Sequence, residues 1–204
     1  MDSNLNIYET NCSGVKLFYA DVSKLDIEKE YPIISEYRRK KILKLKSDKN
    51  KKLSLGSELL LIYALKKYYK DIALPPEFSF GKHGKPEICG VQFSLAHAGN
   101  VAICAVSDKA VGVDIERTDR KSDRVAKRAF NENERKSEFG YIWTRKEAAV
   151  KADGGGLALG LADIDVTKDT VTINGKNYRL ISIKPEITGY YVALCVQSDV
   201  ERNY

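Results

Sequence analysis

The chain has 204 residues, 43% of them hydrophobic, and a formal net charge of +6. That length and apolar content allow a sizeable core and exclude a disordered or fibrous chain. The longest apolar run, residues 59–65, falls far short of the roughly 18 residues that a membrane span requires, and the N-terminal MDSNLNIYET lacks the basic-then-apolar pattern of a secretory leader. The expectation is a cytoplasmic protein without a membrane partner. Cys12, Cys89, Cys104 and Cys195 lie far apart with no CxxC pair, which predicts reduced thiols, two of them in apolar strands.

In chain order, residues 16–22 read as a strand, 31–46 as an amphipathic basic helix and 54–69 as a largely buried helix. Pro75-Pro76 ends the helical region and Gly84 turns a hairpin. Strands follow at 92–95, 101–106 and 111–115. Asn131 with Glu134 three residues on marks a helix start, and a long helix around 143–152 stops at Gly154-Gly155-Gly156. Strands at 164–166, 171–173, 178–183 and 190–197 complete the chain, with Asn174-Gly175 as a two-residue hairpin signal. This order predicts an α+β protein.

The second half repeats part of the first at a constant offset of 91 residues. VAICAVSD (101–108) matches VALCVQSD (192–199), and His83-Gly84-Lys85 matches Asn174-Gly175-Lys176. Two similar α/β halves are expected, 1–108 and 109–204, arranged as a pseudodimer about a pseudo-two-fold axis within a monomer.

The charge is concentrated. Residues 38–52 hold nine basic side chains (Arg38, Arg39, Lys40, Lys41, Lys44, Lys46, Lys49, Lys51, Lys52) against one acid, Asp48, which implies a polyanionic partner. Acidic chemistry sits elsewhere. Asp114 and Glu116 in GVDIE stand two apart on a strand, so both point to one side of the sheet. Glu147 and Lys151 in WTRKEAAVKADGGGL stand four apart and share a helix face. Three carboxylates and a lysine suit a Mg²⁺ site that holds a phosphate, although each pair alone reads as well as a solvated strand face or a helix ion pair.

Taken in order, GKP (84–86), FSLAHAG (93–99), GVDIE (112–116) and WTRKEAAVKADGGGL (143–157) resemble the surfactin-synthetase-type 4′-phosphopantetheinyl transferases. The resemblance runs from about Tyr37 to Asp199. It implies the family's pseudodimer fold, with coenzyme A bound as substrate by the N-terminal half and Mg²⁺ by the catalytic C-terminal half. The 4′-phosphopantetheine arm would pass to a serine of an acidic apo acyl, polyketide or peptidyl carrier protein, with release of adenosine 3′,5′-bisphosphate. By the same resemblance, Asp114, Glu116 and Glu147 bind the metal, with Glu147 also open as the base that takes the serine proton. Lys151 lies near the pyrophosphate. His97 and Lys85 contact coenzyme A phosphates, and Lys40 and Lys52 hold its nucleotide end, with Arg38, Arg39 and Lys51 as neighbouring alternatives. One departure stands out: Ala96 precedes His97 where many relatives have serine, removing a hydroxyl that could bond a phosphate. Two other readings are a non-catalytic carrier-binding module, against which the retained carboxylates argue, and a nucleic-acid-binding protein built on residues 38–52. The latter lacks an interleaved aromatic and basic platform.

Overall fold

A computed structural model of the chain describes residues 5–81, 83–156 and 160–198. Contacts divide it into two compact units, Met1–Asp108 and Lys109–Tyr204. The motif's Leu157 and the repeat's Asp199 lie outside the described residues.

The first unit opens with β1 (Tyr8–Cys12) and β2 (Val15–Asp21). Short helix α1 (Ile27–Glu30) and a 3₁₀ turn lead to α2 (Glu36–Leu43) and the long α3 (Asp48–Tyr68). The small hairpin β3 (Ser79–Phe80) and β4 (Pro86–Glu87) precedes β5 (Gln92–Ala98) and β6 (Val101–Ser107). The main sheet has the order β1-β2-β6-β5, antiparallel throughout. Leu55, Leu59, Ile62 and Leu65 of α3 cluster with Phe18, Phe93, Cys104 and Val106 of the sheet. Removing these aliphatic side chains from water supplies the unit's main stabilisation, roughly 1.5–3 kcal/mol for each fully buried residue.

The second unit comprises β7 (Val111–Arg117), α4 (Asp123–Ala129), α5 (Phe139–Asp153), β8 (Thr170–Ile173), β9 (Lys176–Ile183) and β10 (Tyr190–Gln197). Its sheet has the order β7-β10-β9-β8, again antiparallel. Helix α5 ends where Gly154 takes a left-handed conformation, φ 80°, that a Cβ would penalise. The turn between β8 and β9 places Asn174 at φ 50° and Gly175 at φ 74°, as a two-residue hairpin requires.

Each unit therefore contains the same internal path: strand, helix, then an antiparallel strand pair whose last strand lies beside the first. These are β2-α3-β5-β6 and β7-α5-β9-β10. The matched segments around 101 and 192 are those last, central strands, β6 and β10. The second matched segment differs in setting. Residues 83–85 turn a separate two-stranded hairpin, whereas Asn174-Gly175 joins two strands of the main sheet.

Four predicted elements are corrected. The basic stretch 31–46 is a 3₁₀ turn followed by α2, which stops at Leu43. Helix α3 begins at Asp48, six residues earlier than predicted, so the basic run spans two helices and their connection. Residues 164–166 are not a strand. Their backbone groups bond to side chains instead, with Val166 N donating to Glu134 Oε1 at 3.0 Å and the Ile164 and Val166 carbonyls accepting from Lys146 and Arg145. The start marked by Asn131 and Glu134 does cap reciprocally, Asn131 Oδ1 accepting from Glu134 N at 3.0 Å and Glu134 Oε2 from Asn131 N at 2.9 Å, but only a 3₁₀ turn follows.

Helix and sheet come very close at Gly112 of β7. A Cβ there would lie 2.0 Å from the Ala148 carbonyl oxygen and 2.4 Å from the Ala152 nitrogen. Both are backbone atoms of α5 and cannot rotate away. Gly112→Ala should therefore destabilise the protein by about 1–3 kcal/mol through overpacking. Urea unfolding checks this, and an unchanged midpoint would show that the close approach is dispensable.

Candidate active site

The β7 register sends Gly112, Asp114 and Glu116 to one face and Val111, Val113 and Ile115 to the other. Gly112 lies under α5, so Asp114 and Glu116 point toward that helix's side of the sheet. On α5, Glu147 and Lys151 are one turn apart, and Lys151 Nζ donates to Asp114 Oδ1 at 2.7 Å and to the Val113 carbonyl at 3.3 Å. Strand period and helix period thus meet at one place, as the sequence pattern predicts for Asp114 and Lys151.

Asp114 is 6% exposed, and its Oδ2 is buried without a hydrogen-bond partner in the structure. Burial pushes its carboxyl above the ordinary range, against the pull of Lys151. Glu147 is half-buried and shifts the same way, first from desolvation and further from the negative charge of Asp114, with Lys151 and Arg120 opposing. Two neighbouring acids whose burial raises their proton affinity mark a place short of positive charge. Glu116 is 8% exposed and pairs through Oε1 with Arg120 Nη1. Among the described residues no three carboxylate, histidine or cysteine side chains are gathered closely enough to hold a metal ion. The carboxylates share a region, but two of them face basic side chains.

The helix that carries Glu147 is tied down by neighbours that sequence reasoning left without a role. Lys146 is fully buried, its Nζ donating at 2.6 Å to the Leu161 and Ile164 carbonyls and pairing with Glu134 at 2.9 Å. Arg145, 1% exposed, donates to the Val166 and Lys168 carbonyls at 2.7 and 2.6 Å and to Ser182 Oγ at 2.9 Å. These groups fix α5 against the 160–169 segment. The signal available in the sequence was two charged residues directly before Glu147 on a helix otherwise rich in alanine. Trp143 is partly buried, stacked on Phe139 at 6.0 Å, and packs against the unit's core.

The other predicted residues belong to the first unit. His97 is exposed near the end of β5. Ala96, 6% exposed, points to the opposite face of that strand, so the hydroxyl missing there would not stand beside the imidazole. Lys85 is half-exposed between Gly84 and β4. Lys40 is exposed and pairs with Glu36 at 2.7 Å, while Lys52 Nζ donates to the Ser23 carbonyl at 2.8 Å. Arg38 is a correction: it is buried, with Nε on Glu58 Oε2 at 2.9 Å and Nη1 on Ser54 Oγ at 3.2 Å, and cannot reach a nucleotide. Arg39 is likewise engaged with the Ile34 and Pro32 carbonyls.

Arg38→Ala would strand Glu58 in the core and should cost about 3–5 kcal/mol, the scale of a broken buried ion pair. Lys40→Ala should stay within about 0.5 kcal/mol. Chemical denaturation of both variants tests the separation, and equal small effects would return Arg38 to the ligand candidates.

The raised carboxyl of Asp114 has a stability consequence with a definite sign. A carboxyl whose folded pKa exceeds its unfolded value contributes stability below the ordinary carboxylate range and loses it as pH rises through the folded value. Asp114→Asn should therefore raise the metal-free melting temperature more at pH 8 than at pH 5. A shift independent of pH would mean that the buried charge is already balanced.

A family model described as the 4′-phosphopantetheinyl transferase superfamily matches residues 110–195, which include β7, α5, Asp114, Glu116 and Glu147. The chain is 26% identical over 159 residues to the 4′-phosphopantetheinyl transferase Sfp of Bacillus subtilis, covering 71% of each chain. It is 27% identical over 183 residues to the transferase gsp of Aneurinibacillus migulanus, covering 79% of this chain and 76% of that one. With HetI of Nostoc it shares 35% identity over 103 residues, 40% of this chain and 43% of the relative. The matched segment, residues 110–195, is the one in which strand and helix bring Asp114 and Lys151 together, and it is this part of the chain that is similar to the 4′-phosphopantetheinyl transferase superfamily.

Proposed function

We propose that the protein transfers the 4′-phosphopantetheine group of coenzyme A to a serine of an acidic apo carrier protein, and that the acidic region of β7 and α5 carries the phosphoryl chemistry. The single observation behind this reading is Asp114: a buried carboxylate on a family-matched strand, one oxygen on Lys151 and the other without a partner.

Hard oxygen donors and an unpartnered buried carboxylate oxygen fit Mg²⁺. Asp114 and Glu147 would hold it together with Glu116, which must first exchange Arg120. When bound, the ion would neutralise charge on the substrate pyrophosphate as its P–O bond breaks. In the reaction itself, the serine oxygen bonds to the phosphorus nearest the pantetheine. The bond from that phosphorus to the bridging oxygen breaks, and adenosine 3′,5′-bisphosphate leaves. The serine proton passes to Glu147, directly or through a water, and burial raises the proton affinity of this carboxylate, the direction that favours a general base. Lys151 supplies a fixed positive charge where the pyrophosphate becomes more negative. His97, Lys85, Lys40 and Lys52 of the first unit would bind the phosphates of coenzyme A, and the exposed lysines of residues 38–52 would favour an acidic partner. No described helix is long and apolar enough to cross a membrane.

Intact mass spectrometry provides the test. With Mg²⁺, coenzyme A and a panel of apo acyl and peptidyl carriers, at least one carrier should gain one phosphopantetheine mass on its serine. Asp114→Ala should remove most of this turnover while the protein stays folded. Binding of carriers without any mass gain would replace the proposal with the non-catalytic reading.

A further inference from the structure

Resting on the metal reading of Asp114, Glu116 and Glu147, we infer that Arg120 is a positioning residue. It is a resident counter-cation that holds Glu116 while no divalent ion is bound, and it yields both Glu116 and the face of Trp143 when one binds. The pairing of Arg120 Nη1 with Glu116 Oε1 places a guanidinium on one of the three carboxylates assigned to the metal. The same guanidinium lies over two aromatic rings, its central carbon 5.9 Å from the centroids of both Phe139 and Trp143. Those rings are stacked nearly parallel, at an interplanar angle of 13° with centroids 6.0 Å apart, and the guanidinium is close to both.

The side chain of Glu116 is only 10% exposed, while that of Arg120 is 41% exposed. A carboxylate so far removed from water needs a positive partner, and it gives up one cation only for another. The acidic region contains two basic contacts, and they differ in how firmly they are held. Lys151 projects from the middle of a regular helix and is anchored on both Asp114 and the Val113 carbonyl. Arg120 sits at the end of a turn closed by its own N–H on the Arg117 carbonyl at 3.1 Å. Its half-exposed head can swing into solvent without disturbing the sheet. A divalent ion on Glu116 and a guanidinium on the same carboxylate repel each other, so the mobile cation is the one that leaves. Glu116 is thereby kept in its bound direction before the metal arrives.

Trp143 is the chain's only tryptophan, which gives this exchange its own signal. Departure of Arg120 from the indole face should change tryptophan emission when Mg²⁺ alone is titrated into the protein, without coenzyme A or carrier. In parallel, Mn²⁺ binding is followed by electron paramagnetic resonance. Arg120→Ala should bind Mn²⁺ roughly two- to fivefold more tightly than the wild type, the scale of a part-exposed ion pair. Its emission should no longer respond to Mg²⁺. Arg120→Lys, which keeps the charge, should bring Mn²⁺ affinity back toward the wild-type value. If the wild type binds Mn²⁺ and Asp114→Asn loses it, while Arg120→Ala binds as the wild type does or more weakly, the inference about Arg120 falls and the metal reading stands. The same holds if Arg120→Ala keeps a wild-type emission response. If neither the wild type nor Arg120→Ala binds Mn²⁺, both fall.

Discussion

The acidic region depends on the contact between α5 and β7 at Gly112. With no side chain at that position, the helix backbone comes down onto the strand, and the ideal position of a Cβ would lie 2.0 Å from the Ala148 carbonyl. This closeness has two effects further along the strand. It brings Lys151 within hydrogen-bond distance of Asp114, and it shuts water out around Asp114. A glycine one turn of the pleat away is therefore the cause of the electrostatic condition at the carboxylate. Burial raises the proton affinity of Asp114 and Glu147, and only a further positive charge can balance them as anions.

The region is also held from behind by polar groups that touch no substrate. Lys146, Arg145 and Glu134 are buried, and between them they bond to carbonyls and an N–H of the irregular 160–169 segment. A helix packed by alanines alone could slide, since small side chains interlock weakly; directional bonds from consecutive residues 145 and 146 fix both its rotation and its height. Glu147, the next residue, inherits that placement. This explains how a carboxylate of raised proton affinity can keep a defined direction without an ion pair of its own in every state.

Much of this was legible in the sequence because it follows from periodicity. The period of two placed Asp114 and Glu116 on one face, the period of 3.6 placed Glu147 and Lys151 together, and Asn174-Gly175 announced its hairpin. The strand at 190–197 was read with its observed bounds. What escaped has a common physical reason: neither local pattern nor charge reveals what a side chain will bond to at long range. The run at 164–166 has strand-like composition, yet its backbone groups are taken by Glu134, Arg145 and Lys146, from residues 18 to 32 positions away. Arg38 looked like any other member of a basic cluster, and only its burial against Glu58 separates it from Lys40. β1, YETNC, is a polar edge strand with no apolar alternation to mark it. Arg120 lies in a turn, where no periodicity predicts a neighbour.

The distribution of basic residues then takes on a different meaning from the one that a simple count suggests. A cluster of nine cations looks like a single polyanion-binding face, but it spans two helices and their connection, and members of it serve folding. Arg38 neutralises a core glutamate and Arg39 caps backbone carbonyls. In the second unit the division runs the same way: Arg145 and Lys146 are structural, whereas Lys151 and Arg120 stand against carboxylates that are short of positive charge. Burial decides between the two uses. A fully buried cation has its partners fixed and cannot be lent to a ligand, while a part-exposed one keeps water as an alternative partner and can exchange. By that criterion Arg120, with 41% of its side chain exposed, is the cation of this region able to exchange when a charged ligand arrives, whereas Lys151, 29% exposed and bonded to both Asp114 and the Val113 carbonyl, stays in place as a fixed charge.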